Sequence, residues 1–134
     1  EEGVVQVNES YGRCLGNGDF WGTFYEKFLA SSPEIRSKFL HTDFERQKYI
    51  VERSVGTLIM FINSPDSDDI NLEMERLGRL HDHNHVDIPP YMYDLWLKTL
   101  LATIKEHDPL CNGDLIEKWA KCLNPVIEKL KSVY

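Results

Sequence analysis

No two of the three cysteines, Cys14, Cys111 and Cys122, stand at metal-ligand spacing, and their number is odd. A disulfide framework and a zinc ribbon are therefore not expected. Each thiol is expected to pack as a small apolar group in a reducing, cytoplasmic setting. No apolar run approaches the ~20 residues of a membrane span. The opening residues EEGVVQV carry neither a basic start nor an apolar core, so no secretory signal is expected, and the missing initiator methionine fits a fragment or a trimmed chain. Positive charge is in deficit. The net charge of −7 argues against nucleic acid or an anionic membrane surface as the main partner. Sustained alternation of β-branched residues is missing, which excludes most sheet architectures. Repeats, low-complexity stretches and linkers are also missing, leaving a single domain over residues 1–134. Charged residues form 28% of the chain but no long block, and 42% hydrophobic residues can build a core, so a disordered chain is excluded.

Helical period is what the chain does have. Phe20, Phe24 and Phe28, with Trp21, Tyr25 and Leu29, share one broad apolar face. GNGD before them reads as a turn, with Asp19 as the helix cap. In SSPE, Ser32 caps, Pro33 takes the first helical position, and Ile35 and Phe39 follow. In HTDFERQKYIVERSVGTLIMFIN, Thr42 and Glu45 have the spacing of a capping box. Phe44, Val51, Val55, Leu58 and Ile62 then line one stripe. NSPDSDD ends this helix, and Asp68 or Asp69 is predicted to start another. There Ile70, Met74, Leu77 and His81 share a face. Pro89 and Pro90 are predicted to stop it, with Pro90 opening the next helix. Residues 91–106 carry Tyr93, Leu97, Leu100, Leu101 and Ile104. After the turn HDPLCNGD, the last helix carries Leu115, Trp119, Cys122, Val126, Leu130 and Val133, and Pro125 is predicted to bend it. The fold class read from these signals is all-α, with six or seven helices.

Three polar residues interrupt the apolar faces: Tyr25, Gln47 and His81. Each alone reads as a buried polar group that finds a partner. Three of them, on three helices, point to a pocket with a few polar groups in an apolar lining. The stretch RLHDHNHVDIPP adds His83 and His85 to His81. At a helix end, residues two apart diverge by ~200°. Only His81 and His85 then share a face, and His83 is expected to face solvent. Two histidines without a carboxylate on that face fall short of the three protein ligands of a catalytic zinc. Asp82 and Asp87 nearby leave an open zinc or copper site as the alternative.

Taken in order, these segments resemble a globin over nearly the whole chain. FYEKFLASSPEIRSKF resembles the second helix, the proline opening the third, and the phenylalanine that packs on haem. TDFERQKYIVERSVGTLI resembles the distal helix, LGRLHDHNHVDIPPYMYDLWL the proximal helix and its corner, and KWAKCLNPVIEKL the last helix. The resemblance implies a globin-like fold around a haem pocket, with haem b (iron protoporphyrin IX) as cofactor. It makes His81 the iron ligand and Phe39 the haem-stacking phenylalanine. It puts Tyr25 and Gln47 over the bound gas, with Val51 one turn beyond Gln47. Leu77, His85, Ile88, Tyr93 and Leu97 would line the proximal side and haem edge. The Tyr–Gln pair departs from animal myoglobins and is similar to bacterial single-domain globins and the globin domains of gas sensors. LGRLH and PPYMY lean toward the sensors. His85 would meet a haem propionate as its cation, or water.

The implied function is reversible binding of O2, and of CO and NO, by a sensor domain or a standalone binder. A signalling output domain is expected outside this stretch if the chain is a sensor. An enzymatic alternative is oxidation of nitric oxide to nitrate. That dioxygenase chemistry needs a separate reductase, because the chain has no flavin or nicotinamide fingerprint. A third alternative is a helical interaction module, either cofactor-free or binding zinc through His81 and His85. The long stripe from Leu115 to Val133 leaves a monomer or weak homodimer as the expected assembly, since sensor globins pair through their last helices.

Overall fold

The structure, a computed structural model, describes residues 3–82 and 86–133. All its regular elements are helices: α1 Val4–Leu15, α2 Phe20–Ala30, α3 Pro33–Lys38, α4 Phe44–Asn63, α5 Asp68–Leu80, α6 Pro90–His107 and α7 Gly113–Ser132. Among the described residues, no helix is long and apolar enough to cross a membrane.

Local chemistry sets most of the boundaries. Asp19 Oδ1 accepts from Gly22 N at the start of α2, and Ser32 Oγ accepts from Glu34 N before Pro33 opens α3. The cap of α4 is not Thr42 but Asp43, whose Oδ1 takes the amides of Glu45 and Arg46. A carboxylate beside free N–H groups is also favoured by the helix dipole. Asp68 does open α5, behind Ser67 as cap. The sequence signals trace no helix before Asp19, and the structure adds α1 there. In α1, Val4, Val7, Tyr11 and Cys14 are buried at steps of three and four among polar neighbours.

The sharpest departure is at the end of α5, which stops at Leu80 and not at Pro89. The amides of Val86, Asp87 and Ile88 donate to the carbonyls of Leu80, Asp82 and His81. Those acceptors are thereby withdrawn from a continuing helix. Asp87 adopts a positive φ of 58°, which closes the loop. His81 is therefore the C-cap residue of α5, and His83 lies outside the described residues.

Helix α2 packs on α3, α4 and α6, and α7 packs on α1, α4, α5 and α6. The apolar stripe of α7 is spent in this core through Leu115, Trp119, Leu123, Val126, Ile127 and Leu130. Cys122 and Val133 are only half-buried. The helix runs continuously through Pro125. Gly78 lets α5 approach α7, because a Cβ there would run into Val133 Cγ2.

A buried polar knot fastens α1 to the α6–α7 corner. Asp108 accepts from Arg13 Nε at 2.7 Å, Arg13 Nη2 at 2.9 Å, Ser10 Oγ at 2.6 Å and Leu110 N at 2.9 Å. Trp119 Nε1 donates in turn to Ser10 Oγ at 3.0 Å. The Arg13 guanidinium, helped by the Ser10 hydroxyl and the Leu110 amide, overcomes burial and holds the Asp108 carboxyl at about 2. The folded value lies below the unfolded one. Its stabilisation is therefore complete above about pH 4 and is lost as pH falls toward 2, by about 2 kcal/mol. Asp108→Asn is expected to cost a similar amount at neutral pH and to flatten this acid limb. Urea unfolding at pH 7 and between pH 4 and 2 measures both.

Candidate functional site

A cavity of about 430 Å3 opens between α2, α3, α4, α5, the loop after α5, α6 and α7. Its position follows from the pattern of apolar faces. Residues of α2, α4, α5 and α6 line it, and Ile127 and Leu130 of α7 reach it as well. The volume is that of a pocket for a sizeable small molecule.

Tyr25 and Gln47 meet in this cavity. Gln47 Nε2 donates to Tyr25 Oη at 3.0 Å. The Tyr25 ring is buried edge-on against Phe39 and Phe44, with centroids 5.6 and 5.4 Å away. Burial pushes its hydroxyl up to about 12, opposed by the Gln47 hydrogen bond. The hydroxyl thus keeps its proton at neutral pH. Because its oxygen accepts from Gln47, its own O–H remains available as a donor.

His81 also lines the cavity. Its Nδ1 lies 2.7 Å from Leu77 O. A carbonyl can only accept, so Nδ1 carries the proton and Nε2 keeps its lone pair. That hydrogen bond fixes the orientation of the ring. The Tyr93 ring stands edge-on to His81 at 6.4 Å. Burial pushes the Tyr93 hydroxyl to about 12 as well.

Phe39, Val51, Leu77, Ile88 and Tyr93 all line this space. Leu97 does not. It is half-buried against the core, and Trp96 lines the cavity in its place, together with Met92. Trp96 lies three residues after Tyr93 and Leu97 four, and helical period alone ranks them equally. Phe28, Ile35, Ile127 and Leu130 line the cavity as well, without a sequence signal that assigns them to it. For Phe28, Ile35 and Leu130, apolar periodicity gives burial but not which neighbour they meet, and Ile127 lies off the stripe expected for the last helix. His85 lies outside the described residues.

The donor set suits haem better than a bare cation. Among the described residues, no three His, Cys, Asp or Glu side chains gather to hold a metal ion. One oriented imidazole in an apolar cavity is instead what a macrocycle needs, because the porphyrin supplies the other four nitrogens. His81 would be the residue that holds the iron, and Phe39, Val51 and Leu77 would contact the macrocycle.

Comparison with known proteins agrees with this chemistry. The globin family model matches residues 22–130, a stretch that contains Tyr25, Gln47 and His81. A crystal structure from Pseudomonas aeruginosa PAO1, of a protein described as structurally highly homologous to a human haemoglobin, is also similar. It shares 37% identity and a TM-score of 0.93, over 99% of this chain and 98% of that one. Among curated proteins, none matches. The chain belongs to the globins, a haem-binding family.

Proposed function

We propose that this globin holds haem b between the Tyr25–Gln47 pair and His81, and binds O2 reversibly, with CO and NO as further ligands. The observation that carries the reading is the 3.0 Å hydrogen bond from Gln47 to Tyr25, which leaves a protonated hydroxyl as donor in an apolar cavity. When bound, haem iron supplies an open coordination position for a diatomic gas. The chain supplies the rest. His81 Nε2 would offer its lone pair to the iron, and Leu77 O holds the ring. Tyr25 offers its O–H to a gas ligand that carries partial negative charge. Val51, Phe28 and Phe39 keep water away from that donor. A hydrogen bond to a charged acceptor contributes roughly 1.5–3 kcal/mol. That slows release of a polar ligand by about tenfold to a hundredfold. Such a site favours retention over delivery, as suits a gas-sensing domain or an O2-holding one.

Titration of the purified protein with haemin tests this reading. One haem per chain, a Soret band, and distinct shifts of the reduced form under O2 and CO are the expected results. A protein that stays colourless would overturn the reading.

A further inference from the structure

A second recess lies between α4 and α5, about 270 Å3 in volume. It adjoins the main cavity, and Ile50, Ser54, Leu77 and Leu80 line both. We propose that this groove receives the carboxylate edge of the haem, with Arg53 as its guanidinium partner. The proposal rests on the haem reading above and adds the orientation of the group.

Protoporphyrin is apolar except for two propionates, and a carboxylate is not buried without a cation or water. Among the described residues, the main cavity is lined by one cation, Lys38, and that end is already committed. Lys38 Nζ faces Val86 O at 3.4 Å and the Asp87 carboxylate at 3.7 Å. A propionate arriving there would meet Asp87, a like charge.

The groove offers the opposite situation. Arg53 has no carboxylate partner among the described residues, and its guanidinium lies 5.7 Å from the centre of the Tyr49 ring. The one carboxylate that lines the groove among the described residues, Glu73, is neutralised by Arg76 at 2.7 Å. The planar fork of an arginine suits a carboxylate. At the shared rim, Ile50 and Leu80 are 41% and 54% exposed. A macrocycle edge passing over them would cover apolar surface that now faces water.

The test compares haemin with haemin dimethyl ester, which lacks the carboxylate charges. Loss of each to excess apomyoglobin is timed for the wild type, Arg53→Gln, and Arg46→Gln as a control elsewhere on α4. Circular dichroism checks that all three are folded. Arg53→Gln is expected to release haemin about fivefold faster than the wild type, the upper range for an exposed ion pair. Arg46→Gln should match the wild type. With the ester, the gap between wild type and Arg53→Gln should close. Equal haemin loss from wild type and Arg53→Gln overturns the assignment, as does a gap that persists with the ester. A wild type that takes up no haemin overturns the haem reading and this proposal together, whereas the other two results overturn the proposal alone.

Discussion

His81→Gly protein is expected to lose stable haem, and added imidazole is expected to restore it. His81 is the one histidine among the described residues that lines the cavity. Its Nδ1 is occupied by Leu77 O, so Nε2 is the donor that disappears with the side chain. Glycine also leaves a space that free imidazole can enter, which separates loss of the ligand from loss of the fold. The apolar walls alone would still hold a macrocycle weakly, so the effect should appear as haem lost during gel filtration. His83→Ala should keep its haem. His85→Ala should keep it less firmly, because the resemblance puts that residue at the haem edge. Full haem retention by His81→Gly without imidazole would remove His81 from its role.

His81 also illustrates what sequence does and does not convey. Its place on the stripe with Met74 and Leu77 was legible from steps of three and four. That it caps α5, outside the helix proper, was not, because the amides that end the helix come from the loop beyond it. The caps at Asp19 and Ser32 were legible because each is a purely local choice. The cap of α4 was displaced by one residue, to Asp43, since Thr42 and Asp43 are both competent and the carboxylate takes two amides. Leu97 and Trp96 show the same limit in the cavity. Period fixes a face about 100° wide, and the neighbouring helices decide which residue at its edge meets empty space. The knot around Asp108 joins residues about a hundred positions apart, and no local pattern announces it.

Tyr25→Phe is expected to accelerate O2 release by about one to two orders of magnitude, with little change for CO. Phenylalanine keeps the ring that packs on Phe39 and Phe44 and removes only the hydroxyl. Bound CO carries much less charge than bound O2, so it gains little from that donor. A pocket merely loosened by the substitution would speed both gases. Gln47→Leu should have a smaller effect of the same kind, because its amide already donates to Tyr25 Oη and so orients the tyrosine proton. The two changes should therefore not add: Gln47→Leu made on top of Tyr25→Phe should do little more. Alkali gives an independent check. Burial holds the Tyr25 hydroxyl near 12, so the donor persists well above the ordinary tyrosine value near 10, and it is lost only as pH rises toward 12. The O2 off-rate should accordingly stay level to about pH 10 in the wild type. Stopped-flow off-rates for both gases, in both single variants and the double, decide the matter. Equal acceleration of O2 and CO, or no change for O2, would assign Tyr25 to the core. An effect confined to Gln47→Leu would make the glutamine the donor and leave the tyrosine as its support.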